Sequence, residues 1–261
     1  MKMKTRVLSI DVEYDYETEQ SESIKILPRM LDYFAQKNIT ATFFVLGKIA
    51  EQYPSVVKEL SRQHEVATHC YEHLALSALS DDEQEKQMRK GKEAIEKLGI
   101  ACRGIRAPYF MVGKRHLELI KKVGFEYDSS TSTFFPWRYH HFSSATKPSL
   151  QQGIVEFPVP NWLPFFPPAG LSYYRLFYPV SRVFSLPYLL YLHPCEFLAS
   201  PMTRRLPSFI RKAYARHQGE DAWNIFTQLI DNSSCKWVSC RQYLDAAGHD
   251  KREKKINVAL M

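Results

Sequence analysis

The sequence predicts an α/β fold in which parallel strands alternate with helices. Runs of strand length and runs of helical period alternate along residues 5–128. The run at 40–46 consists of β-branched, aromatic and other apolar residues, as in a strand that is buried on both faces. Because successive strand–helix units join through right-handed crossovers, we expect a parallel sheet that is either closed as a barrel or open and doubly wound.

Local signals support the individual elements. Pro28 suits the first turn of the first helix. Ser80 and Glu83 have the spacing of a capping box, and Gly99 and Gly124 can cap the helices that end before them. The predicted strands lie near 7–11, 40–46, 64–68, 103–108, 125–128, 189–192 and 236–239, and the predicted helices near 24–36, 48–62, 80–98, 114–123, 206–217, 222–232 and 241–248.

Length and composition are those of an ordinary globular protein, with 261 residues of which 45% are hydrophobic and 24% charged. Neither repeats nor low-complexity linkers interrupt the chain. We therefore predict a single domain over 1–261. Its motif-bearing core covers about 5–200, its C-terminal helices and last strand about 201–248, and a charged tail 249–261.

Charge and cysteine content limit the partners and the compartment. The net charge of +7 suits an acidic glycan, a nucleotide-linked sugar or an anionic membrane surface, whereas no basic helix or known module supports binding to nucleic acid. Five cysteines without a Cys-x-x-Cys pair fit reduced thiols. No apolar stretch has the length of a signal peptide or of a spanning helix. We expect a cytoplasmic protein, with or without contact to the inner face of the membrane.

The stretch Thr68–His73 carries the first candidate site residues. His69 lies where a short buried strand ends, and His73 follows four residues later. Two imidazoles so placed can face one divalent metal ion, for which a carboxylate is a suitable third ligand. Such a pair also occurs as a surface or capping feature. Four other polar residues lie at or just after the ends of apolar runs: Asp11, Arg106, Asp128 and His193.

Six motifs follow one another in order. They are Ser-Ile-Asp-Val-Glu (9–13), Thr-Ala-Thr-Phe-Phe-Val-Leu-Gly (40–47), Glu-Val-Ala-Thr-His-Cys-Tyr-Glu-His (65–73), Gly-Ile-Arg-Ala-Pro-Tyr (104–109), Tyr-Asp-Ser-Ser (127–130) and Leu-His-Pro-Cys-Glu (192–196). In this order they resemble the polysaccharide deacetylases with a NodB-type domain, similar to carbohydrate esterase family 4. The resemblance covers about residues 5–200. It implies a distorted (β/α) barrel with about seven parallel strands and a metal-dependent deacetylase.

The resemblance implies roles for individual residues. Asp11 is the general base, and His69 and His73 hold the metal ion, usually zinc. Arg106 is the partner that holds Asp11 in place. The backbone N–H of Tyr109 helps to stabilise the oxyanion of the tetrahedral intermediate.

The same resemblance makes His193 the general acid. A buried histidine needs a hydrogen-bonding partner, which either Asp128 or Glu196 can supply. Asp128 can equally well cap the turn that follows it. Many members have an apolar residue two positions before this histidine, where it lines the acyl pocket. This chain has Tyr191 there, which leaves the size of the acyl group open.

The third metal ligand is where the chain departs from the family. Many members carry two adjacent aspartates, the second of which binds the metal, but position 12 here is valine. Residues 11 and 13 of a strand point to the same side, so Glu13 can present its carboxylate beside Asp11. Glu13 is therefore the predicted third ligand, and the alternative is a solvated acid of the following loop.

Other residues fit structural roles as well as functional ones. Cys70 is either a ligand or a small buried thiol, which free cysteines more often are. His116 is expected at the surface. The stretch 134–188 is rich in aromatic residues and proline, which predicts an ordered loop without regular helix, with rings that pack in the core or stack on sugars. By resemblance, its segment 168–176 borders the substrate cleft.

Together these features predict a hydrolase, with zinc as the expected divalent metal, that removes an acetyl or other small acyl group from an N-acylated sugar. The expected substrate is a glycan or a lipid-linked or nucleotide-linked sugar. Two alternatives stay open: a small-amide hydrolase of the same fold, similar to allantoinase, and a catalytically silent glycan-binding relative. Aromatic residues and the basic excess also suggest peripheral contact with the inner leaflet, although they form no clear amphipathic helix and the residues around 175–180 give only a short apolar face.

Overall fold

The computed structural model describes residues 4–15, 20–132, 147–162, 168–199 and 215–246. These residues form a sheet of nine strands with helices packed against it. The strands are β1 (Lys4–Val12), β2 (Thr42–Val45), β3 (Glu65–Thr68), β4 (Gly104–Ile105), β5 (Tyr127–Asp128), β6 (Ser149–Gln151), β7 (Ile154–Glu156), β8 (Leu189–Leu192) and β9 (Cys235–Val238). The α-helices are α1 (Leu27–Lys37), α2 (Gly47–Gln52), α3 (Pro54–Ser61), α4 (Asp81–Glu96), α5 (His116–Val123), α6 (Leu171–Leu176), α7 (Glu220–Asp231) and α8 (Cys240–Ala246).

The sheet is curled and almost entirely parallel. Its strands run in the order β6-β7-β5-β4-β3-β2-β1-β8, and β9 pairs with the first half of β1. The pairing of β6 with β7 is antiparallel, and the other strand pairs are parallel. The architecture is therefore the predicted α/β barrel of the deacetylase type. It has nine strands where about seven are expected, because the β6–β7 hairpin adds two strands that the apolar pattern does not predict.

Strand β1 is an interior strand of the sheet and is buried on both faces. Val7, Leu8 and Ile10 are fully buried. β1 pairs with β2 on one side and with β8 and β9 on the other, so it has neighbours along its whole length. Its carboxyl end carries Asp11, which thereby reaches the edge where α/β barrels form their sites.

The two edges of the sheet meet across a seam of main-chain hydrogen bonds, formed by residues 159–162 and 168–170. Val159 N–H donates to Thr131 O at 2.8 Å, and Ala169 N–H donates to Pro160 O at 2.7 Å. The carbonyl oxygen of Ala169 accepts from the N–H of Tyr191 on β8 at 3.2 Å. On this side, single bridges rather than a pair of regular strands connect the two edges.

The helices cover the outside of the sheet with apolar and aromatic side chains. Tyr33 on α1 contacts Trp223 and Phe226 on α7 edge to face. His64, which precedes β3, packs in the same way against Phe34 and Phe43. Across the described residues, no helix combines the length and the apolar character needed to cross a membrane.

Three local predictions were wrong. The predicted helix at 48–62 is two helices, because Pro54 starts a new one. Helix α6 forms within the proline-rich stretch, because residues 171–176 themselves contain no proline. His116 is buried rather than exposed, because the first turn of α5 faces the sheet. Other predictions lie outside the described residues: the helix at 206–217 as far as residue 214, the tail at 249–261, and the aromatic residues within 133–146 and 163–167.

We predict that His64 makes the fold less stable in mild acid. Its ring is buried, and among the described residues its Nδ1 has no hydrogen-bond partner. Desolvation lowers the pKa of His64 to about 4, below the value of about 6.5 for an unfolded histidine. Between these values the unfolded chain binds more protons than the folded chain. The stabilisation is therefore complete above about pH 6.5 and is lost toward about pH 4, by at most about 1.4 kcal/mol per pH unit.

Urea unfolding of the wild type and of His64→Phe tests this prediction, since phenylalanine keeps a ring between Phe34 and Phe43. The measurements are made at about pH 7, 6 and 5 in the presence of a chelator, which removes any contribution from bound metal. As the pH falls, the difference in unfolding free energy should shift in favour of the variant. A difference that stays constant with pH contradicts the role given to His64.

Candidate metal and catalytic site

The carboxyl ends of β1, β3 and β8 bring the predicted site residues together. Asp11 and Glu13 lie at the end of β1, His69 follows β3, and His193 follows β8. β8 is a direct neighbour of β1, and β3 is separated from β1 only by β2. Parallel pairing therefore gathers residues that are distant in sequence at one edge of the sheet.

Glu13, His69 and His73 form a group whose ligand atoms all lie within 4.8 Å of one another. Glu13 Oε2 is 2.6 Å from His73 Nε2 and 3.3 Å from His69 Nε2. Val12, in contrast, is buried in the hydrophobic core. The alternation of β1 thus brings Glu13, and not residue 12, to the two histidines.

His69 is oriented by the main chain. Its Nδ1 lies 2.7 Å from the carbonyl oxygen of Arg106. A carbonyl oxygen can only accept, so Nδ1 carries the proton and Nε2 presents its lone pair toward Glu13 and His73. Histidine ligands of metal ions are commonly fixed by such a hydrogen bond from the other ring nitrogen.

Glu13 is an ionised carboxylate in spite of its burial. Burial by itself would raise the pKa of Glu13, but the charges of His73 and His193 and the contacts of the carboxylate with His69 and His73 hold it well below its ordinary value. Desolvation alone would lower the pKa of His73, but the charge of Glu13, its hydrogen bond with His73 and the charge of Asp11 together raise it. A carboxylate and two imidazoles are a donor set that holds catalytic zinc. The residues present therefore fit a divalent metal ion.

The buried guanidinium of Arg106 fixes Asp11. Its Nη1 donates to Asp11 Oδ1 at 2.7 Å and to Ser9 Oγ at 3.0 Å. Its Nε and Nη2 donate to the carbonyl oxygen and the hydroxyl of Ser129 at 3.2 and 2.8 Å. A buried ion pair is tolerated when its hydrogen-bonding groups are satisfied in this way. Asp11 is therefore held through Oδ1, while Oδ2 faces His193.

His193 faces both carboxylates from the end of β8. Its Nε2 lies 3.9 Å from Asp11 Oδ2 and 3.8 Å from Glu13 Oε1. Desolvation alone would lower the pKa of His193, but the charge of Glu13, the hydrogen bond with Glu196 and the charge of Asp11 raise it to about 9. The two carboxylates therefore favour the protonated imidazole. Of the two predicted supports, Glu196 is the one beside this ring, with Oε1 3.4 Å from Nδ1.

Asp128 belongs to a second buried group. Its carboxylate accepts a hydrogen bond from Ser130, lies 3.6 Å from His116 Nε2, and has Glu156 within 4.8 Å. Burial and the charge of Asp128 raise the pKa of Glu156 well above its ordinary value. Burial would also raise the pKa of Asp128, but hydrogen bonds with His116 and Glu156 lower it. The predicted contact of Asp128 with His193 is thus replaced by contacts within this group.

Two tyrosines surround the site. Tyr109 has a left-handed backbone with φ of 57°, and its ring centre lies 4.3 Å from that of His73. Tyr191 is almost completely buried, and its ring packs edge to face against His193 and Phe110. The tyrosine at this position therefore fills space directly behind the imidazole of the predicted acid.

Four polar residues of this region are not evident from the sequence: Ser9, Ser129, Glu156 and Arg175. Ser9 and Ser129 lie inside two of the six motifs, and this position is the signal that could have identified them. Arg175 has a weaker signal, as a cation in an aromatic and proline-rich stretch. Glu156 ends β7, a strand that the apolar pattern does not predict because it is only three residues long.

Comparison with known proteins finds a family model that matches part of the chain. Residues 4–127 match the family model described as polysaccharide deacetylase. A peptidoglycan-N-acetylglucosamine deacetylase from Bacillus cereus is 32% identical over 109 residues, which cover 41% of this chain and 40% of that protein. The chain thus spans less than half the length of this curated relative.

Solved structures share the fold over a longer part of the chain. The peptidoglycan deacetylase PdaC from Bacillus subtilis covers 100% of this chain and 98% of its own, with 18% identity and a TM-score of 0.54. A pseudoenzyme of the CE4 family from Bacillus anthracis covers 92% of this chain and 65% of its own, with 17% identity and a TM-score of 0.54. At such identities the likeness shows the fold alone. Over residues 4–127 this chain is therefore similar to the polysaccharide deacetylases.

Proposed function

We propose that this protein is a metal-dependent hydrolase that removes an acetyl or other small acyl group from an N-acylated sugar. The convergence of Glu13, His69 and His73 beside Asp11 carries the proposal. The match of residues 4–127 to the polysaccharide deacetylase model supports it, as does the Bacillus cereus relative, whose name gives N-acetylglucosamine as its substrate.

Glu13, His69 and His73 would hold the metal ion. Zinc is the expected metal, because two histidines and one carboxylate form one of the usual catalytic zinc sites. When bound, the ion supplies a Lewis acid that polarises the amide carbonyl and increases the acidity of a water molecule. The ionised state of Glu13 and the exposed lone pair of His69 Nε2 prepare these ligands for a cation.

The side chains of the site divide the proton transfers between them. Asp11 Oδ2 can take the proton of the attacking water, because Arg106 holds the other oxygen of the same carboxylate. His193 can give a proton to the departing amine, because its pKa is raised to about 9 and its Nε2 faces the same space. The main-chain N–H of Tyr109 would stabilise the oxyanion. Amide hydrolysis requires a base for the water and an acid for the amine, and Asp11 and His193 face the same space.

A silent glycan-binding role is less well supported. A binding module does not need a base held by arginine, a protonated histidine facing that base, and three ligands that converge on one point. Among the contacts around the site, none favours a small amide such as allantoin over a sugar. The assay described below distinguishes between a sugar and a small amide as the substrate.

We also propose that the protein contacts an anionic membrane surface to reach a lipid-linked sugar. After α6, Phe177, Val180 and Val183 follow at intervals of three residues and are 39%, 66% and 82% exposed. A cavity of about 850 Å³ in the same region is lined by Lys4 and Arg182. Exposed apolar residues beside cations suit the interface of an anionic bilayer.

This surface shares Phe177 and Val180 with the short apolar face at 175–180 but does not include Arg175. Arg175 is buried in an ion pair and cannot meet a membrane. The apolar residues lie near the amino-terminal ends of β1 and β8, whereas the candidate site lies at their carboxyl ends. Contact at this surface would keep the catalytic opening away from the bilayer, which suits a sugar carried at some distance from its lipid.

The metal assignment predicts that the protein binds about one zinc ion per chain. His69→Ala removes a ligand and should weaken zinc binding at least about 100-fold, since loss of even an outer partner costs about 10–100-fold. Zinc content after dialysis, measured by mass spectrometry, gives the result. His64→Phe is the control, because it replaces a histidine outside the site. Full zinc content in His69→Ala would contradict the assignment of His69 as a metal ligand.

The substrate proposal is tested with N-acetylglucosamine oligomers, a lipid-linked N-acetyl amino sugar and allantoin, assayed side by side. We expect acetate to be released from at least one of the sugars and allantoin to remain intact. Asp11→Asn should reduce turnover at least about 100-fold while zinc stays bound, because it removes the base but keeps the shape. Turnover of allantoin alone would establish the small-amide alternative. A zinc-loaded protein that acts on none of the three would favour the silent relative.

Membrane contact is tested by sedimentation with phosphatidylglycerol–phosphatidylcholine vesicles at low salt. The wild type should sediment with the vesicles. A double variant, Val180→Ser with Val183→Ser, should bind at least about tenfold more weakly, because two valines lose their apolar burial. Leu150→Ser is the matched control, since Leu150 is an exposed apolar residue on β6. Wild-type protein that stays in the supernatant contradicts the proposed contact.

A further inference from the structure

The short 3-10 helix Pro194–Phe197 places a carboxylate directly beside the imidazole of His193. Glu196 Oε1 accepts a hydrogen bond from the main-chain N–H of His193 at 3.1 Å and lies 3.4 Å from its Nδ1. One oxygen atom thus contacts both the backbone and the ring of the same residue. Rotation of the ring would break the second contact, so the carboxylate fixes the direction of Nε2.

Glu196 is itself fixed by a buried cation. Arg175 Nε donates to Glu196 Oε2 at 2.9 Å, and Arg175 Nη1 donates to the carbonyl oxygen of Arg216 at 2.6 Å. The side chains of Arg175 and Glu196 are only 1% and 2% exposed. A carboxylate buried to this extent needs a paired charge, and this pair satisfies it. Because Arg175 occupies Oε2, Oε1 is the oxygen directed at His193.

Helix α6 carries Arg175 and is attached to the same strand as His193. Gly170, the residue before α6, forms a parallel bridge with Tyr191, two residues before His193. A Cβ atom at Gly170 would lie 2.7 Å from Cζ of Tyr191, so a larger residue would push this contact apart. The position of Arg175 relative to β8 is therefore set at the start of its helix.

From this geometry we infer that Glu196, held by Arg175, is the positioning residue of His193. The inference rests on the proposed function, in which His193 is the general acid. Both residues lie outside the segment 4–127 that matches the family model. Asp128, the other acid predicted to support His193, is engaged with His116 instead.

The first test does not depend on activity. It uses zinc-loaded protein with 15N-labelled histidine, in which the ring signals of His193 are assigned from their loss in His193→Gln. The Nδ1 proton should resonate far downfield, as expected for a hydrogen bond to a carboxylate. Glu196→Gln should move this signal upfield. The double variant Arg175→Met with Glu196→Leu should abolish it, while avoiding an unpaired buried charge.

Glu156→Gln is the matched control, because it changes a buried carboxyl group that lies in the group of Asp128. It should leave the His193 signal in place. A signal that is unchanged in both Glu196 variants overturns the inference, whether or not the protein is a deacetylase.

The second test separates positioning from a merely structural role. A general acid matters greatly for an amine leaving group and little for the phenolate of 4-nitrophenyl acetate. Glu196→Gln should lower kcat on N-acetylglucosamine oligomers about 10–100-fold with KM nearly constant, and should lower the rate on the ester much less. Arg175→Lys, which keeps the charge, should retain more activity than Arg175→Met.

Equal losses on the amide and the ester would show a structural role and overturn the inference. If the wild type acts on no N-acylated sugar, the proposed function fails. The ring signal of His193 then decides the inference by itself, so the two failures remain distinct.

Discussion

Arg106 holds the candidate site together, because a fully buried guanidinium requires a partner for each of its donor groups. Its donors reach Asp11 and Ser9 on β1 and Ser129 after β5, and its main-chain oxygen holds His69 after β3. The ring of Phe44 on β2 packs against the cation at 4.2 Å. One buried charge therefore sets the spacing between Asp11 and His69, the proposed base and metal ligand, and it links neighbouring strands at the edge where the candidate site lies.

The sequence predicts well those parts of the site that lie at the ends of regular strands. Asp11, His69 and Arg106 each follow an apolar run, so parallel pairing is enough to place them at one edge. Glu13 requires only the alternation of side chains along an extended chain. These positions are set by local rules, and the structure brings all four within one network of hydrogen bonds and ion pairs.

The remaining features depend on contacts between distant parts of the chain. The spacing of residues along the sequence does not reveal such contacts. Asp128 and Glu196 are both acids close to strand ends, and only the tertiary structure turns one toward His116 and the other toward His193. His116 follows charged residues and therefore resembles a surface histidine. It is buried because α5 packs its first turn over the carboxyl groups of Asp128 and Glu156, which offer the imidazole polar partners in the interior.

The seam at 159–162 and 168–170 differs from the rest of the barrel wall in how it is joined. The strands from β1 to β4 are held by continuous parallel pairing. In the part of the chain that the structure describes, only isolated bridges cross the seam. The wall of the barrel can therefore change shape at the seam without a shift in the pairing register of β1 to β4.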